Sequence, residues 1–151
     1  MRKLFLIRGL QGSGKTTLAH QLINTPTTVQ MLADPDSQPT GFEVSADGFF
    51  TKNGEPYKFD PDRLVEAHLW CQKVCDRAMK SDKYYTDLIV VHNTFSRQWE
   101  LDPYLKMADE NSYSVQILEC HGSFKNVHDV PAEVIEKTRA RWQHPVSTCL
   151  N

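Results

Sequence analysis

Residues 9–16 decide the fold of this chain, and they read Gly9-Leu10-Gln11-Gly12-Ser13-Gly14-Lys15-Thr16. They match the pattern GxxxxGK[ST] in full, the apolar run Leu4–Ile7 stands shortly before them, and apolar residues follow at helical spacing. Glycines allow backbone N–H groups to turn inward around phosphate oxygens, and the helix that follows adds its N-terminal partial positive charge. The stretch therefore predicts a phosphate-binding loop between a buried strand and a helix.

The same loop predicts which cofactors the chain uses. Lys15 can reach the β- and γ-phosphates of ATP or a related triphosphate, and the Thr16 hydroxyl can ligate Mg²⁺. We therefore expect ATP and Mg²⁺, with Lys15 serving catalysis as well as binding. The residues of this segment that are predicted to bind the nucleotide are Gly9, Gln11, Gly12, Ser13, Gly14, Lys15, Thr16 and Thr17.

The composition indicates an ordinary globular domain. The 151 residues fit a single domain over 1–151, with 40% hydrophobic and 24% charged residues. The net charge of -2 provides no overall basic surface, so a nucleic acid partner would need a local patch. No apolar run approaches the roughly 18 residues of a membrane span, and the apolar stretch at the N-terminus is too short for a signal peptide. We expect a cytoplasmic protein without a membrane partner, and its oligomeric state stays open.

The cysteines permit two interpretations. His68, Cys71 and Cys75 fall on one face of a predicted helix, and their spacing could hold a metal ion. The same face also carries the apolar residues Leu64, Ala67, Val74 and Ala78. Because a closed zinc site usually needs four ligands, the pattern favours core positions with reduced thiols.

Apolar runs and helical repeats alternate along the chain. Strands are predicted at 4–7, 42–46, 88–91 and 114–120, and helices at 16–23, 61–80, 97–111 and 131–143. This alternation predicts a three-layer α/β fold of the P-loop NTPase type, with a mostly parallel four-stranded sheet covered on both faces. The polar segment 25–41 is predicted to be a surface insertion, with one helical turn near 29–32, and 144–151 a tail.

Local signals refine these boundaries. Asp60 is expected to cap the second helix and Pro61 to occupy its first position. Asn53-Gly54 suggests a hairpin or tight turn between residues 49–52 and 57–59. The inward-facing residues of the third helix are predicted to be Trp99, Tyr104, Leu105 and Ala108.

Asp47 follows the second predicted strand, where open α/β sheets place their ligands. A carboxylate there can accept a proton from a hydroxyl that attacks the γ-phosphate. The alternative is a turn residue before Gly48, and position alone does not separate the two. The third strand ends in the polar residues His92-Asn93-Thr94, which are expected at the same edge of the sheet.

Further blocks of sequence carry a specific resemblance. They are Ser45-Ala46-Asp47-Gly48-Phe49-Phe50, Asn53-Gly54, Tyr57-Lys58-Phe59-Asp60-Pro61, His92-Asn93-Thr94-Phe95, Trp99-Glu100 and Asn126-Val127-His128-Asp129-Val130-Pro131. With the loop, they resemble the small P-loop kinases similar to phage polynucleotide 5′-hydroxyl kinase, and the related short AAA-type ATP-binding proteins. The resemblance covers residues 3–141, with 25–41 looking like an insertion.

This resemblance implies ATP-dependent phosphoryl transfer to a hydroxyl, with the 5′-hydroxyl of a nucleic acid as the acceptor. It implies that Asp47 is the general base and that 121–131 is a short lid, in which Lys125 takes the place of an arginine over the phosphates. Arg141 matches an arginine that recurs in the last helix of the family, and Arg139 lies close to it. Both are predicted to bind the nucleotide, and a solvated helix face is the alternative.

The sequence also departs from the family pattern. Phe50 stands where the polynucleotide kinases carry an arginine, which weakens the case for binding a substrate 3′-phosphate. His92 replaces the usual aspartate and weakens Mg²⁺ coordination, and Lys125 offers a point charge where arginine offers a fork. Two alternatives stay open: a small-molecule kinase acting on a nucleoside, nucleotide or sugar, and a nucleotide-binding interaction protein with little catalysis.

Overall fold

The computed structural model describes residues 2–24, 41–51, 56–81, 87–123 and 130–144. Within these ranges the strands are β1 (Lys3–Gly9), β2 (Phe42–Val44), β3 (Leu88–His92) and β4 (Ser114–Cys120). The α-helices are α1 (Lys15–Asn24), α2 (Leu64–Lys80), α3 (Gln98–Glu110) and α4 (Ala132–Ala140), with 3₁₀ helices at Ala46–Phe50 and Pro61–Arg63. The strands form one sheet in the order β2-β3-β1-β4, and every pairing is parallel.

Strand β1 lies inside the sheet, and its side chains are covered from both faces. Leu4 and Leu6 join the core beneath α2 and α3, whereas Ile7 packs with Ala19 of α1 on the opposite face. A strand buried on both faces reads as a continuous apolar run, which explains why this one was recognisable in the sequence. The predicted three-layer α/β fold with a parallel four-stranded sheet is confirmed.

The chain leaves the sheet earlier after β2 than the alternation predicted. The strand ends at Val44, and Ala46 to Phe50 form a 3₁₀ helix instead of continuing as a strand. Phe49 and Phe50 are buried against Ala67 of α2, so the chain gains more apolar burial by coiling toward that helix than by extending. Of the two predicted alternatives, a hairpin strand does not form at Phe49 and Phe50, and the tight turn at Asn53-Gly54 lies outside the described residues.

The helix starts follow local chemistry. The Asp60 side chain accepts a hydrogen bond from Asp62 N, and Pro61 opens a short 3₁₀ turn before α2, which confirms the predicted cap. Helix α3 begins after Arg97, whose N–H donates to Glu100 Oε2 at 2.8 Å.

The prediction that Trp99 faces the core is wrong, because its side chain is 66% exposed. The buried stripe of α3 consists of Leu101, Tyr104, Met107 and Ala108. Trp99 stands two positions before that stripe, which turns it about 200° around the helix to the solvent side. Leu105 is partly buried against the core, as expected.

Cys71 and Cys75 lie in the core, where the apolar pattern placed them. Burial raises the pKa of both thiols above the ordinary value for cysteine. Most of the predicted insertion 25–41, the middle of the predicted lid 121–131 and most of the tail fall outside the described ranges. Within the residues that the structure describes, every helix is too short or too polar to cross a membrane.

Asn93, at the end of β3, connects the 3₁₀ helix that carries Asp47 to the rest of the molecule. It is buried, and its Oδ1 accepts a hydrogen bond from Ala46 N at 2.8 Å. Its own backbone N–H donates to Ile7 O of β1 at 3.2 Å. One residue thus fixes the position of the 3₁₀ helix relative to both central strands.

Asn93→Leu keeps a side chain of similar size but leaves the Ala46 N–H without an acceptor. We expect the free energy of unfolding to fall by about 1–3 kcal/mol, the cost of an unpaired buried donor. Urea unfolding measures the change. Gln116→Leu makes the same amide-to-leucine exchange at an exposed position of β4 and should stay within about 0.5 kcal/mol of the parent. Equal unfolding midpoints for Asn93→Leu and the parent would show that this contact does not hold the 3₁₀ helix.

Candidate functional site

The loop after β1 needs its glycines for defined reasons. Gly12 and Gly14 have φ angles of 80° and 97°, a region that side-chain-bearing residues adopt only with strain. Gly9 lies so close to β4 that an added Cβ would stand 3.0 Å from Cys120 O. The loop conformation therefore follows from the glycine spacing that the sequence displays.

The side chains of Lys15 and Ser13 converge inside this loop. Lys15 Nζ donates to Gly9 O at 2.8 Å and to Leu10 O at 3.0 Å, so the ammonium lies across the loop. The Ser13 hydroxyl is buried and has no hydrogen-bond partner within the described part of the chain. The buried Ser13 hydroxyl and the Lys15 ammonium are both donors that suit the oxygens of a phosphate.

The environment of the loop changes the pKa of the Lys15 ammonium. Burial lowers the pKa of its ammonium to about 8, although the charge of Asp47 and, more weakly, the Cys120 thiol oppose the shift. A polyanion bound in the loop would compensate for the lost hydration. The free loop thus carries a cation that gains by meeting phosphate.

A cavity of about 480 Å³ opens at the carboxyl end of the edge strand β2. We call it the β2 pocket; its lining includes Thr16, Glu43, Asp47, Tyr57, Trp70 and His92. The structure therefore brings two of the predicted site residues, Thr16 and Asp47, into one pocket beside the phosphate-binding loop. Asp47 belongs to the 3₁₀ helix and not to a strand end, and its side chain is exposed.

Tyr57 holds the carboxylate of Asp47. Its hydroxyl donates to Asp47 Oδ1 at 3.3 Å. Burial, together with the charge of Asp47 and this hydrogen bond, raises the pKa of Tyr57 to about 12. The phenol therefore stays protonated near neutral pH and orients the carboxylate as a hydrogen-bond donor.

Glu43 is a second carboxylate of the β2 pocket, and it was not among the site residues predicted from the sequence. Its Oε1 lies 2.9 Å from His20 Nε2, and its Oε2 lies 3.5 Å from His92 Nε2. Burial lowers the pKa of His92, although the carboxylates of Glu43 and Asp47 act in the opposite direction. His92 thus meets Glu43 as a neutral imidazole near pH 7.

A larger cavity, of about 860 Å³, lies on the other side of the loop, between the end of β4 and α4. We call it the β4 pocket; its lining includes Gln11, Ser13, Glu119, Arg139 and Trp142. Gln11 and Ser13 therefore face this pocket, whereas Thr16 faces the β2 pocket. Residues 10–16 thus contribute to the lining of both cavities.

Arg8 is a buried cation that the sequence analysis also missed. It is 1% exposed, and its guanidinium donates to Phe95 O, Gln143 O and Glu119 Oε1. The guanidinium also lies 4.1 Å from the centre of the Trp142 ring. The sequence signal that could have revealed it is a charge inside an apolar strand, one residue before the loop.

The other predicted site residues occupy different places. Arg139 borders the β4 pocket and pairs with Glu136 at 3.3 Å, whereas Arg141 Nε donates to Ser96 Oγ at 3.0 Å, outside the lining described for either pocket. Thr17 is exposed on the first turn of α1. Lys125 lies outside the described residues.

The comparisons with known proteins place this geometry in a family. A family model described as an AAA domain matches residues 4–145. NEDD4-binding protein 2 of Homo sapiens is 32% identical over 153 residues; the match covers 95% of this chain and 8% of the human protein. The chain thus spans less than a tenth of the length of that relative.

Two solved structures share the fold. The structure of the Pnkp1/Rnl/Hen1 RNA repair complex superposes with a TM-score of 0.60 at 16% identity, covering 99% of this chain and 49% of the other. The Mycobacterium tuberculosis APS kinase CysC, in complex with AMPPNP and APS, superposes with a TM-score of 0.56 at 16% identity, covering 97% and 85%. At these identities the likeness concerns the fold alone.

The lowered pKa of Lys15 predicts that triphosphate binding depends on pH. In the free protein the ammonium loses its proton near pH 8, and bound phosphates would raise that pKa, so binding takes up a proton. The dissociation constant for ATP should therefore rise above pH 8, by up to about tenfold per pH unit. Calorimetry at pH 8.5 in two buffers of different ionisation enthalpy measures the proton uptake.

Lys15→Arg provides the control, because arginine stays charged throughout this range. Its ATP affinity should be nearly independent of pH from 7 to 9. Cys120 does not interfere, since burial raises the pKa of its thiol above the ordinary value for cysteine. An affinity for ATP that is flat with pH in the parent protein would show that Lys15 keeps its proton up to pH 9, which contradicts the lowered pKa of the free loop.

Proposed function

We propose that this chain, which belongs to the AAA-domain family of P-loop proteins, is a kinase that transfers the γ-phosphoryl group of ATP to a hydroxyl. The observation that carries the proposal is the β2 pocket, in which the carboxylate of Asp47 and the hydroxyl of Thr16 line one cavity beside the loop. A P-loop alone indicates a nucleotide and not a reaction. The neighbouring carboxylate adds a group that can take the proton of an acceptor.

At the nucleotide end, binding rests on residues of the loop. The phosphates would be held by inward-turned amides, the Ser13 hydroxyl and the Lys15 ammonium. The nucleobase of ATP would extend toward the β4 pocket. Mg²⁺ usually keeps several waters and uses few protein ligands besides phosphates, so the Thr16 hydroxyl suits it. When bound, the ion would neutralise charge that develops on the phosphate oxygens.

At the acceptor end, Asp47 would orient the hydroxyl and receive its proton. The acceptor oxygen forms a bond to the γ-phosphorus while the bond from that phosphorus to the β–γ bridging oxygen breaks, which leaves ADP. Tyr57 would favour one orientation of the carboxylate through its long hydrogen bond of 3.3 Å. Catalysis would consist of positioning and of neutralising charge, the main contributions in phosphoryl transfer.

Further positive charge would come from outside the β2 pocket. Lys125, within the predicted lid, is proposed to meet the phosphates from above, and Arg139 and Arg141 to support the nucleotide. Arg139 has the better position of the two arginines, since it borders the β4 pocket. Arg141 would first have to release Ser96.

Two classes of acceptor follow from the family. The 5′-hydroxyl of a nucleic acid is the acceptor that the resemblance predicts. A small molecule is the second candidate, and the burial of Phe50 favours it. Phe50 packs its ring 5.3 Å from both Phe49 and Phe59, so the position that holds an arginine in polynucleotide kinases here belongs to an aromatic cluster.

A nucleotide-binding protein with little catalysis is the alternative outside the enzymes. His92, in the place of an aspartate, supports it, because a neutral imidazole cannot supply the negative charge of a carboxylate to Mg²⁺. Labelled ATP with a panel of hydroxyl acceptors separates the two readings. A chain that binds ATP tightly and phosphorylates none of the acceptors is a binder.

Asp47→Asn keeps the shape of the side chain and removes the basic oxygen. Transfer to the acceptor should fall by about 10²–10⁴-fold, the usual contribution of a positioned base. ATP should bind about as well as in the parent, because Asp47 faces the acceptor. Steady-state transfer and equilibrium ATP binding are measured on the same variant.

The control for this variant is Tyr57→Phe, which removes the hydrogen bond to Asp47 but leaves its carboxylate in place. We expect it to slow transfer by less than about tenfold, since a neutral hydrogen bond contributes about 1 kcal/mol. Unchanged transfer in Asp47→Asn would make Asp47 a turn residue. A parallel loss of Mg²⁺–ATP affinity and rate would assign it to the metal.

A further inference from the structure

We infer that the acceptor bound in the β2 pocket is an uncharged hydroxyl compound of about nucleoside size, with no phosphate group in the pocket. The inference rests on the proposed kinase activity and names its substrate class. It comes from the charge, the walls and the volume of this one cavity.

The charge of the pocket is acidic. Glu43 and Asp47 contribute two carboxylates, and the lining residues that the structure describes include no lysine or arginine. Lys15, the cation of the phosphate-binding loop, is hydrogen-bonded to loop carbonyls and is reserved in this proposal for the phosphates of the nucleotide. Among the lining residues that the structure describes, a phosphate on the acceptor would meet two like charges and no lysine or arginine.

The Glu43 carboxylate favours an uncharged compound that carries hydroxyl groups. Its Oε1 is held by His20 at 2.9 Å. Its Oε2 is shielded from solvent and has no hydrogen-bond partner within the described residues; His92 Nε2, at 3.5 Å, is too distant for a good bond. Because this oxygen is covered in the free protein, the Glu43 carboxylate must turn toward the pocket before a hydroxyl of the bound compound can donate to it. Sugar-like hydroxyls provide such donors, whereas a phosphate dianion provides none.

The walls of the pocket favour a flat or ring-shaped body. Phe42, Val44, Trp70 and Val74 supply apolar surface, and Tyr57 adds an aromatic ring beside Asp47. A volume of about 480 Å³ lies within the usual range of small-molecule pockets, roughly 300–1,000 Å³. An apolar body with a few precisely met hydroxyls is the ligand that such a lining selects.

These features distinguish a small acceptor from a nucleic acid end. A polynucleotide would carry its first internucleotide phosphate into the region of Glu43 and Asp47. The arginine that clamps such a phosphate in polynucleotide kinases is replaced by Phe50, which is buried in the aromatic cluster beside α2. The nucleic acid end is therefore the competing outcome of the experiment.

The test compares a matched pair of acceptors, cytidine and cytidine 3′-monophosphate, which share the 5′-hydroxyl and differ by one phosphate. Binding is measured by calorimetry on the full chain saturated with a non-hydrolysable ATP analogue and Mg²⁺. We expect cytidine to bind at least about tenfold more tightly than its 3′-monophosphate, which is a difference of about 1.4 kcal/mol. A short oligonucleotide with a 5′-hydroxyl should bind no better than the monophosphate.

Glu43→Gln tests the origin of the discrimination. The amide removes one negative charge, so the preference for cytidine should shrink to less than about threefold, while ATP affinity stays at the parental value and reports an intact fold. Glu110→Gln makes the same exchange at the exposed end of α3 and should leave the preference unchanged. An unchanged preference in Glu43→Gln would overturn the role of this carboxylate.

The outcomes separate the inference from the proposed activity. No detectable binding of cytidine, or equal or tighter binding of the monophosphate or the oligonucleotide, overturns the inference. Phosphoryl transfer from labelled ATP is measured in parallel on the same acceptors. Preferential binding of cytidine without transfer to it refutes the kinase activity and retains the inferred class of ligand. Transfer to the oligonucleotide in preference to cytidine supports the kinase activity and overturns the inferred class.

Discussion

The burial of Arg8 is the constraint on which the arrangement of the loop depends. A guanidinium can be removed from water only where its donors are satisfied, and this one meets two carbonyls, a carboxylate and the face of an indole. The partners come from the segment after β3, from β4 and from the residues that follow α4. Burial lowers the pKa of Arg8, and the carboxylate of Glu119 offsets part of that effect. One strand residue therefore joins three elements immediately before Gly9.

The same interaction supports an unusual backbone. Phe95 has a φ angle of 48°, a left-handed conformation that is uncommon for a bulky residue. Its carbonyl accepts two hydrogen bonds from Arg8, and its ring packs edge-on against Tyr104 with the centres 5.5 Å apart. Contacts on both sides of the residue thus compensate for the strained conformation. They also fix where the chain passes from β3 to α3, below the carboxyl edge of the sheet.

How far the sequence predicted this molecule depended on the range of each signal. The loop, the four strands and the Asp60 cap are written in short stretches, and those elements were recognised. The 3₁₀ helix around Asp47 was not recognised, because the hydrogen bond that Ala46 N donates to Asn93 Oδ1 and the packing against α2 come from residues distant in sequence. Asp47 and the segment His92-Asn93-Thr94 were nevertheless expected at one edge of the sheet, since the carboxyl ends of parallel strands meet there. In the sequence, Glu43 is one of the polar residues of a strand with alternating polarity. Only the fold brings His20 and His92 next to it.

The tripeptide His92-Asn93-Thr94 has a consequence for how such a protein can diversify. Thr94 O accepts the N–H of Gly9 at the start of the loop, and Asn93 Oδ1 accepts the N–H of Ala46 at the start of the 3₁₀ helix. Because neighbouring residues of one segment hold both the loop and the 3₁₀ helix, the geometry of the sheet sets the distance between the loop and Asp47. Substitutions in the walls of the β2 pocket can change which ligand it admits without moving the loop or Asp47. Proteins that share this scaffold could therefore admit different compounds to the β2 pocket while the distance between the loop and Asp47 stays constant.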